Sequence, residues 1–562
     1  MQPAKKEPFE ETSDEAPQPR RSRGLRVFLW IALVLFLIAA GLFTAVAIYF
    51  RRAEPILRAR VIETLSTRFD SRVELASFDV SVIQGFEVSG RGLKLYPNHL
   101  EMQQPLFSVD KFSFRTGWRD LLRTPMHIGQ VRISGLHINM PPKNQRHDMP
   151  KLSQGSSGSG RIQILVDELL IDHATLIIRT DKPGKVPLDF EISKLQMTSV
   201  GANQPMHFHA ILTNPKPVGD IDSTGYFGPY VTHSPGDTPV QGKYSFSHAD
   251  LSTLKGIGGI LSSTGVYQGT LNNIVVDGET DTPDFRLTTA NYPMPLHTKF
   301  HAIVDGTNGD THLLPVDAIL GHSHIIASGD VVRAQGVPGH DITLDVTVAP
   351  ARIDDMLRLG VKTEPPVMTG DLTMHTKFHL PPGQGTVLDR LHLQGTFQIT
   401  NVHFTSDKIQ SKVDELSLRG QGKPKEVNED HPDVTSQMRG NFELGAQKIT
   451  ISDLDYQVPG AQVAMNGVYT LDGDQFNFHG VARMQAKVSE MVTGWKSLVL
   501  KLADPLFMKN GAGTEVPIEV TGTRSEPHFG VELDKVFGHK NKDKENGAPN
   551  QTPPPPAQPA PQ

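Results

Sequence analysis

The chain has 562 residues, 38% hydrophobic and 21% charged, with 50 Gly, 42 Pro and a formal net charge of −6, which is long enough for two to four domains or one elongated one. No Lys/Arg stripe with interleaved aromatics runs through it, so it lacks the electrostatic footprint of a nucleic-acid binder. It has no cysteine, which excludes disulfides, thiolate metal sites and Cys nucleophiles.

Residues 1–22 mix Lys, Glu, Asp, Pro and Ser without apolar periodicity and read as a disordered tail. A membrane helix is expected over 23–52. Its core, Val27 to Phe50, carries no charge over 24 residues, and at ~1.5 Å per residue it spans ~36 Å, enough for a hydrocarbon layer of ~30 Å. A cleaved signal peptide is the competing reading, with Ala45-Val46-Ala47 as a small-residue site, but the apolar run exceeds the ~7–15 residues of such regions. Arg20, Arg21, Arg23 and Arg26 precede the span and Arg51, Arg52, Arg58 and Arg60 follow it, so the charge count leaves orientation open.

After the span, Pro55 opens a short helical pattern with Ile56, Leu57, Val61, Ile62 and Leu65 on one side. From Val73 the period becomes two. Phe78, Val80 and Val82, then Leu93 and Leu95, Phe112 and Phe114, Val131 and Ile133, and Leu136, Ile138 and Met140 each mark a strand with one apolar face. A helical turn is expected over Thr116 to Leu122. Gln154 to Gly160 reads as a flexible Gly/Ser link before strands resume at Ile162.

Further along, Gly precedes an apolar or aromatic residue by two positions in Gly242-Lys243-Tyr244, Gly265-Val266-Tyr267, Gly370-Asp371-Leu372, Gly395-Thr396-Phe397, Gly440-Asn441-Phe442 and Gly467-Val468-Tyr469. The spacing is too irregular for a strict solenoid, yet it suggests one sheet grown from similar units, with plain turn chemistry as the alternative. Helices are expected only at Ala249 to about Leu261, Ala351 to Leu359 and Val488 to about Leu502. The last sets Trp495, Leu498 and Leu502 on an apolar face that suits an interfacial or end-capping helix, or packing against the final strands. Residues 540–562 read as a disordered Pro-rich tail.

Two segments carry a family resemblance. SRVELASFDVSVIQGFEVSGRGLKLYP followed by PLFSVDKFSFRTGWRDLLRTPMHIGQVRISGLHINM, and FELGAQKITISDLDYQVPGAQVAMNGVYTLDGDQFNFHGVARMQAKVSEMVTGWKSLVLKLADPLF with Gly511 to Gly530, resemble the N- and C-terminal modules of the AsmA-like family. The middle segment GVYQGTLNNIVVDGETDTPDFRL is similar to the interiors of some large members. Domain limits follow as 53–153 for the N-terminal module, 161–430 for a β-rich middle and 431–539 for the C-terminal module. The resemblance implies a mainly β fold: one N-terminal transmembrane helix and an elongated, curled antiparallel sheet forming a groove, with a few short helices. It also implies a bacterial inner-membrane protein with its N-terminus in the cytoplasm and its body in the periplasm, related to chorein-type bridge-like lipid transfer proteins.

Such a sheet could hold acyl tails by area-driven burial at ~0.8 kcal/mol per CH₂. Candidate lining residues are Phe112, Phe114, Ile133, Ile138, Phe190, Ile192, Phe397, Ile399, Phe476 and Phe478, with a closed core as the bland alternative for each. His207 and His209, and His322 and His324, are spaced to share a strand face but have no third ligand in sequence and read as exposed polar positions, as do His297 and His301. Asp354-Asp355 and Glu429-Asp430 read as solvated neighbours, and Gly256-Ile257-Gly258-Gly259 lacks the order of a dinucleotide loop. No catalytic residue, metal site or cofactor is assigned, and the chain is read as no enzyme. The expected function is phospholipid transport between inner and outer membranes, with membrane phospholipids, the inner membrane and outer-membrane or envelope proteins as partners. The alternative is an outer-membrane biogenesis factor that affects membrane-protein assembly without carrying lipid.

Overall fold

A computed structural model describes residues 55–531, apart from 68, 82–85, 100–102, 118, 121–125, 143–144, 146–163, 180–186, 202–203, 232–233, 334–338, 363, 429–432, 472–474, 492–512 and 524–525. The expected span Val27 to Phe50, the Gly/Ser link, both tails, Glu429-Asp430 and the positions Trp495, Leu498 and Leu502 lie outside the described residues. Among the described residues no helix is long and apolar enough to cross a membrane.

The chain opens with a helix over 55–67, α1. Strands follow at β1 Ser71–Glu74, β2 Ser77–Ser81, β3 Phe86–Pro97, β4 Phe107–Thr116, β5 Met126–Met140, β6 Ile164–Ile178, β7 Leu188–Val200 and β8 Met206–Pro215. The next are β9 Val218–Phe227, β10 Pro239–Asp250, β11 Ile257–Gly258, β12 Ile260–Thr270, β13 Asn273–Leu287, β14 Met294–Val304, β15 Thr311–Leu320, β16 Ser323–Arg333 and β17 His340–Arg352. The rest are β18 Met368–Leu380, β19 His392–Phe404, β20 Ser436–Gly445, β21 Lys448–Val458, β22 Ala461–Thr470, β23 Gln475–Met484, β24 Thr514–Thr523 and β25 Pro527–Val531. Three helices interrupt them: α2 Ile353–Gly360, α3 Val387–Arg390 and α4 Asp407–Gly420.

All 25 strands join one long, open sheet. Its order follows the chain, because nearly every strand turns back on its predecessor, and short hairpins make antiparallel neighbours the cheapest pairing. The exception is β5 with β6, which run parallel from Met126 beside Ile164 to Met140 beside Ile178. The sheet therefore continues across the connection that holds the Gly/Ser link. A parallel pair needs such a long return.

The two long rims of the sheet differ. One is made mostly of short hairpin turns. On the other, α2 follows the end of β17 and α4 the end of β19, and the short turn Leu251–Thr253 follows β10. Register shifts at Phe246/Ala249, Thr282/Phe285, Val348/Ala351, Thr369/Asp371 and Ile399/Val402 lie close to this second rim. Each bulge bends its strand and increases local twist. The largest core cluster sits here: Val348, Ala351, Leu372, Ile399 and Val402 are buried, with Ile353 and Met356 of α2 packed on them.

The structure corrects three sequence expectations. No helix spans Ala249 to Leu261: β10 runs to Asp250, whose carboxylate caps the turn by accepting from Ser252 N at 2.9 Å, and β12 already begins at Ile260. Asp250, Ser252 and Thr253 favour local side-chain to backbone bonds over helix. Asp355 is not solvated but 1% exposed. His322 lies in the turn before β16 and not on a strand with His324. A 3₁₀ turn at Val488–Glu490 marks the start of the expected Val488 helix, whose remainder lies beyond the described residues from 492.

Candidate functional site: an apolar sheet face

Strand alternation gives the sheet two chemically distinct faces. Cross-strand register links Phe112, Ile133, Ile171, Leu195 and Ala210 across β4 to β8. The same row continues through Val316, Ala327 and Val346 on β15 to β17, and through Phe442, Ile451, Gly467, Phe478 and Val520 on β20 to β24. Residues directly opposite in a sheet point to one face, so these positions share a surface free of charged side chains. Most are half-buried and none is strongly exposed.

The opposite face is polar and carries cross-strand His–Asp pairs. His209 meets Asp222 at 3.0 Å, His301 meets Asp277 at 2.7 Å, His324 meets Asp317 at 2.8 Å and His375 meets Asp345 at 2.9 Å. The paired histidines named from the sequence are thus surface polar positions with single carboxylate partners. Among the described residues no group of three or more His, Cys, Asp or Glu could hold a metal ion.

The Gly-x-aromatic recurrence acquires a physical reason on the apolar face. Gly242 stands opposite Tyr267 while Tyr244 stands opposite Gly265, and Gly395 opposite Phe442 while Phe397 stands opposite Gly440. Two such strands laid antiparallel place each ring over the other strand's glycine, where no Cβ obstructs it. Tyr267 extends across Gly242 on β10 to reach Ser223 on β9, oxygen to oxygen 2.8 Å. Tyr244 reaches Ser263 at 3.1 Å. Ser223 and Ser263 each donate onward to a backbone carbonyl, of Lys243 at 3.1 Å and Glu279 at 3.0 Å, so the tyrosines are the donors. Burial pushes the Tyr267 phenol above its ordinary value despite the Ser223 bond.

Comparison with family models, with curated proteins and with solved structures returns no match.

Of the ten lining candidates, Phe112, Phe114, Ile133, Ile138, Phe190, Ile192, Phe397, Phe476 and Phe478 are half-buried. Ile399 is 4% exposed within the core cluster beside α2, which leaves it no surface to offer. Phe112, Ile133, Ile138 and Ile192 pack on the buried cluster of Val109, Leu136, Ile171 and Ala174. Phe397 and Phe442 approach with ring centroids 6.2 Å apart.

Sequence reading missed α4. Its sheet-facing stripe is Gln410, Val413, Ser417 and Gly420, polar and small where an apolar stripe is the usual signal. Gln410 accepts from Phe404 N at 3.0 Å and donates to Val434 O at 2.9 Å; Ser417 donates to Pro459 O at 2.8 Å. The helix is held by hydrogen bonds to strand ends as much as by apolar contact. Also missed was the row of hydroxyl pairs on the apolar face, because Ser223, Tyr244 and Ser263 are ordinary strand residues until register brings them together.

Proposed function

We propose that the chain holds phospholipid along the apolar face of its sheet and takes part in phospholipid transport between the inner and outer membranes of a diderm bacterium. In this reading the sheet is curled, bent along the bulged rim, so that acyl tails lie in a groove on the apolar face and head groups stay in water. Val27 to Phe50 anchors the chain in the inner membrane, with the N-terminus cytoplasmic and the body periplasmic, as in the AsmA-like family that the terminal segments resemble. The observation that carries the reading is the row of half-buried apolar residues continued in register from Phe112 to Val520. A single sheet with one such face has acyl-compatible area along its length, and burial of that area is non-directional, as sliding requires.

The test compares the phospholipid that co-purifies with the full-length chain and with a Phe397→Asp/Phe442→Asp variant, quantified by mass spectrometry per mole of protein. Both carry the same membrane segment and meet the same detergent, so the difference reports the sheet face. A severalfold loss in a folded variant supports the reading, and equal lipid rejects it.

A second reading has one observation in its favour. Phe529 of β25 is 52% exposed on the last described strand, which pairs with β24 through Ile518 to Gly522. A sheet edge of this kind can add a partner's strand, as an outer-membrane biogenesis factor acting on membrane proteins without carrying lipid would do. Equal lipid in the comparison above would favour it.

A further inference from the structure

The apolar face is not uniform. On β4 to β8 the central row is aliphatic and aromatic, and on β15 to β24 it is so again apart from Gly and Thr376. Between them, on β9 to β14, the same face presents Ser223, Tyr244, Ser263 and Thr280 with Gly225, Gly242, Gly265 and Gly278. The hydroxyls are joined in three pairs, Tyr267 with Ser223 at 2.8 Å, Tyr244 with Ser263 at 3.1 Å and Thr280 with Thr298 at 2.7 Å. Thr282, two residues beyond Thr280, is fully buried and its Oγ1 has no hydrogen-bond partner, which extends the polar strip toward the helix-bearing rim. The glycines are not incidental: Tyr267 can reach Ser223 only because Gly242 has no side chain, and the tip of Tyr244 lies 2.9 Å from where a Cβ of Gly278 would stand.

Two consequences follow for hydrocarbon. Because the Tyr–Ser pairs are satisfied internally, an acyl chain crossing them strands no donor. Yet a methylene laid on hydroxyls and glycine backbone displaces less apolar area than one laid on Phe, Ile or Leu, and so gains less.

We infer that this hydroxyl-and-glycine waist divides the face into two acyl-chain compartments, one on β4–β8 and one on β15–β24, separated by a strip that glycerophospholipid tails occupy sparsely and cross slowly. The inference rests on the lipid-holding reading above and adds that the face carries two lipid populations, not one continuous file.

The experiment places photoreactive benzoylphenylalanine in the full-length chain at Phe208, Phe300 or Phe397. These positions sample the first compartment, the waist and the second compartment, and Phe246 serves as a second waist position. Each protein is reconstituted with vesicles of radiolabelled phosphatidylethanolamine and phosphatidylglycerol, irradiated, and the covalently captured lipid counted. Capture at Phe208 and Phe397 should exceed that at Phe300 and Phe246 by roughly fivefold, about the weight of one or two methylenes. In a Tyr244→Phe/Tyr267→Phe/Ser263→Ala background the Phe300 signal should rise to within about twofold of the others. Equal capture at all four positions, or no rise in the hydroxyl-free background while its circular dichroism stays native, overturns the waist alone. No capture at any position overturns the lipid-holding reading itself.

Discussion

Phe300 of β14 lies over Gly278 of β13, with its ring tip 2.7 Å from where a Cβ of that glycine would stand. The two are register partners, and the side chain of one fills the space the other leaves empty. Gly278→Ala would press on the Phe300 and Tyr244 side chains and on nothing else nearby. We expect a local loss of about 1–3 kcal/mol, read as faster hydrogen exchange in β13 and β14. In a Phe300→Ala background the same change should cost at least about 1 kcal/mol less, since contacting residues couple. Equal costs in both backgrounds would mean that the ring does not depend on the glycine.

The carboxylate of Asp355 ties α2 to the β15–β16 turn by accepting from His322 N and Ser323 Oγ, each at 2.8 Å. Removing a buried acceptor leaves both donors unmet. Asp355→Leu is expected to cost about 2–4 kcal/mol of local stability and to raise exchange across 353–360 and the start of β16 while leaving β1–β9 unchanged. Asp355→Asn, which keeps one acceptor oxygen, should cost less.

Burial pushes the Tyr456 phenol up to about 12, and the nearby Asp414 carboxylate adds to the shift. The unfolded chain releases this proton near pH 10. Between pH 10 and about 12 the folded protein therefore binds more protons than the unfolded one, so stability falls as pH rises through that window and is whole below it. Alkaline unfolding followed by circular dichroism should have a shallower pH slope in Tyr456→Phe than in the native chain. Identical slopes would show that Tyr456 ionises without cost.

Exposure separates lining from core along one strand. Phe397 is half-buried and Ile399, two residues on, is 4% exposed. Phe397→Asp places a charge where water reaches it and should cost about 1–2 kcal/mol, whereas Ile399→Asp buries one without a partner and should exceed about 4 kcal/mol. Thermal melts of the two variants side by side should show the second unfolding first by a wide margin.

Much of the fold is legible in the sequence because the signal is local. Alternation along Ile342, Leu344, Val346 and Val348 marks β17 directly, and Leu372 and Met374 do the same for β18. The helix at α2 also shows, since Ile353 and Met356 face the core and Asp354 and Arg358 pair at 3.4 Å on its outer side. What escapes is whatever depends on partners far along the chain. The stripe of α4 is Gln410, Ser417 and Gly420 because it meets strand ends at Val434, Pro459 and Gly460. Gly242 to Tyr244 shows a recurrence by itself, but the Tyr267–Ser223 bond spans 44 residues and exists only through register. The burial of Asp355 likewise waits on Ser323, 32 residues earlier.

The decisive measurement for a lipid-holding face uses two adjacent positions of β19 that point to opposite sides: Phe397 on the apolar face and Gln398 on the polar one. With benzoylphenylalanine at either position in the full-length chain, irradiated in the membranes of the cells that express it, phospholipid should be captured at Phe397 at least about tenfold more than at Gln398, a factor worth about 1.4 kcal/mol. Equal capture at the two positions, or none at Phe397, would mean that the face does not hold lipid.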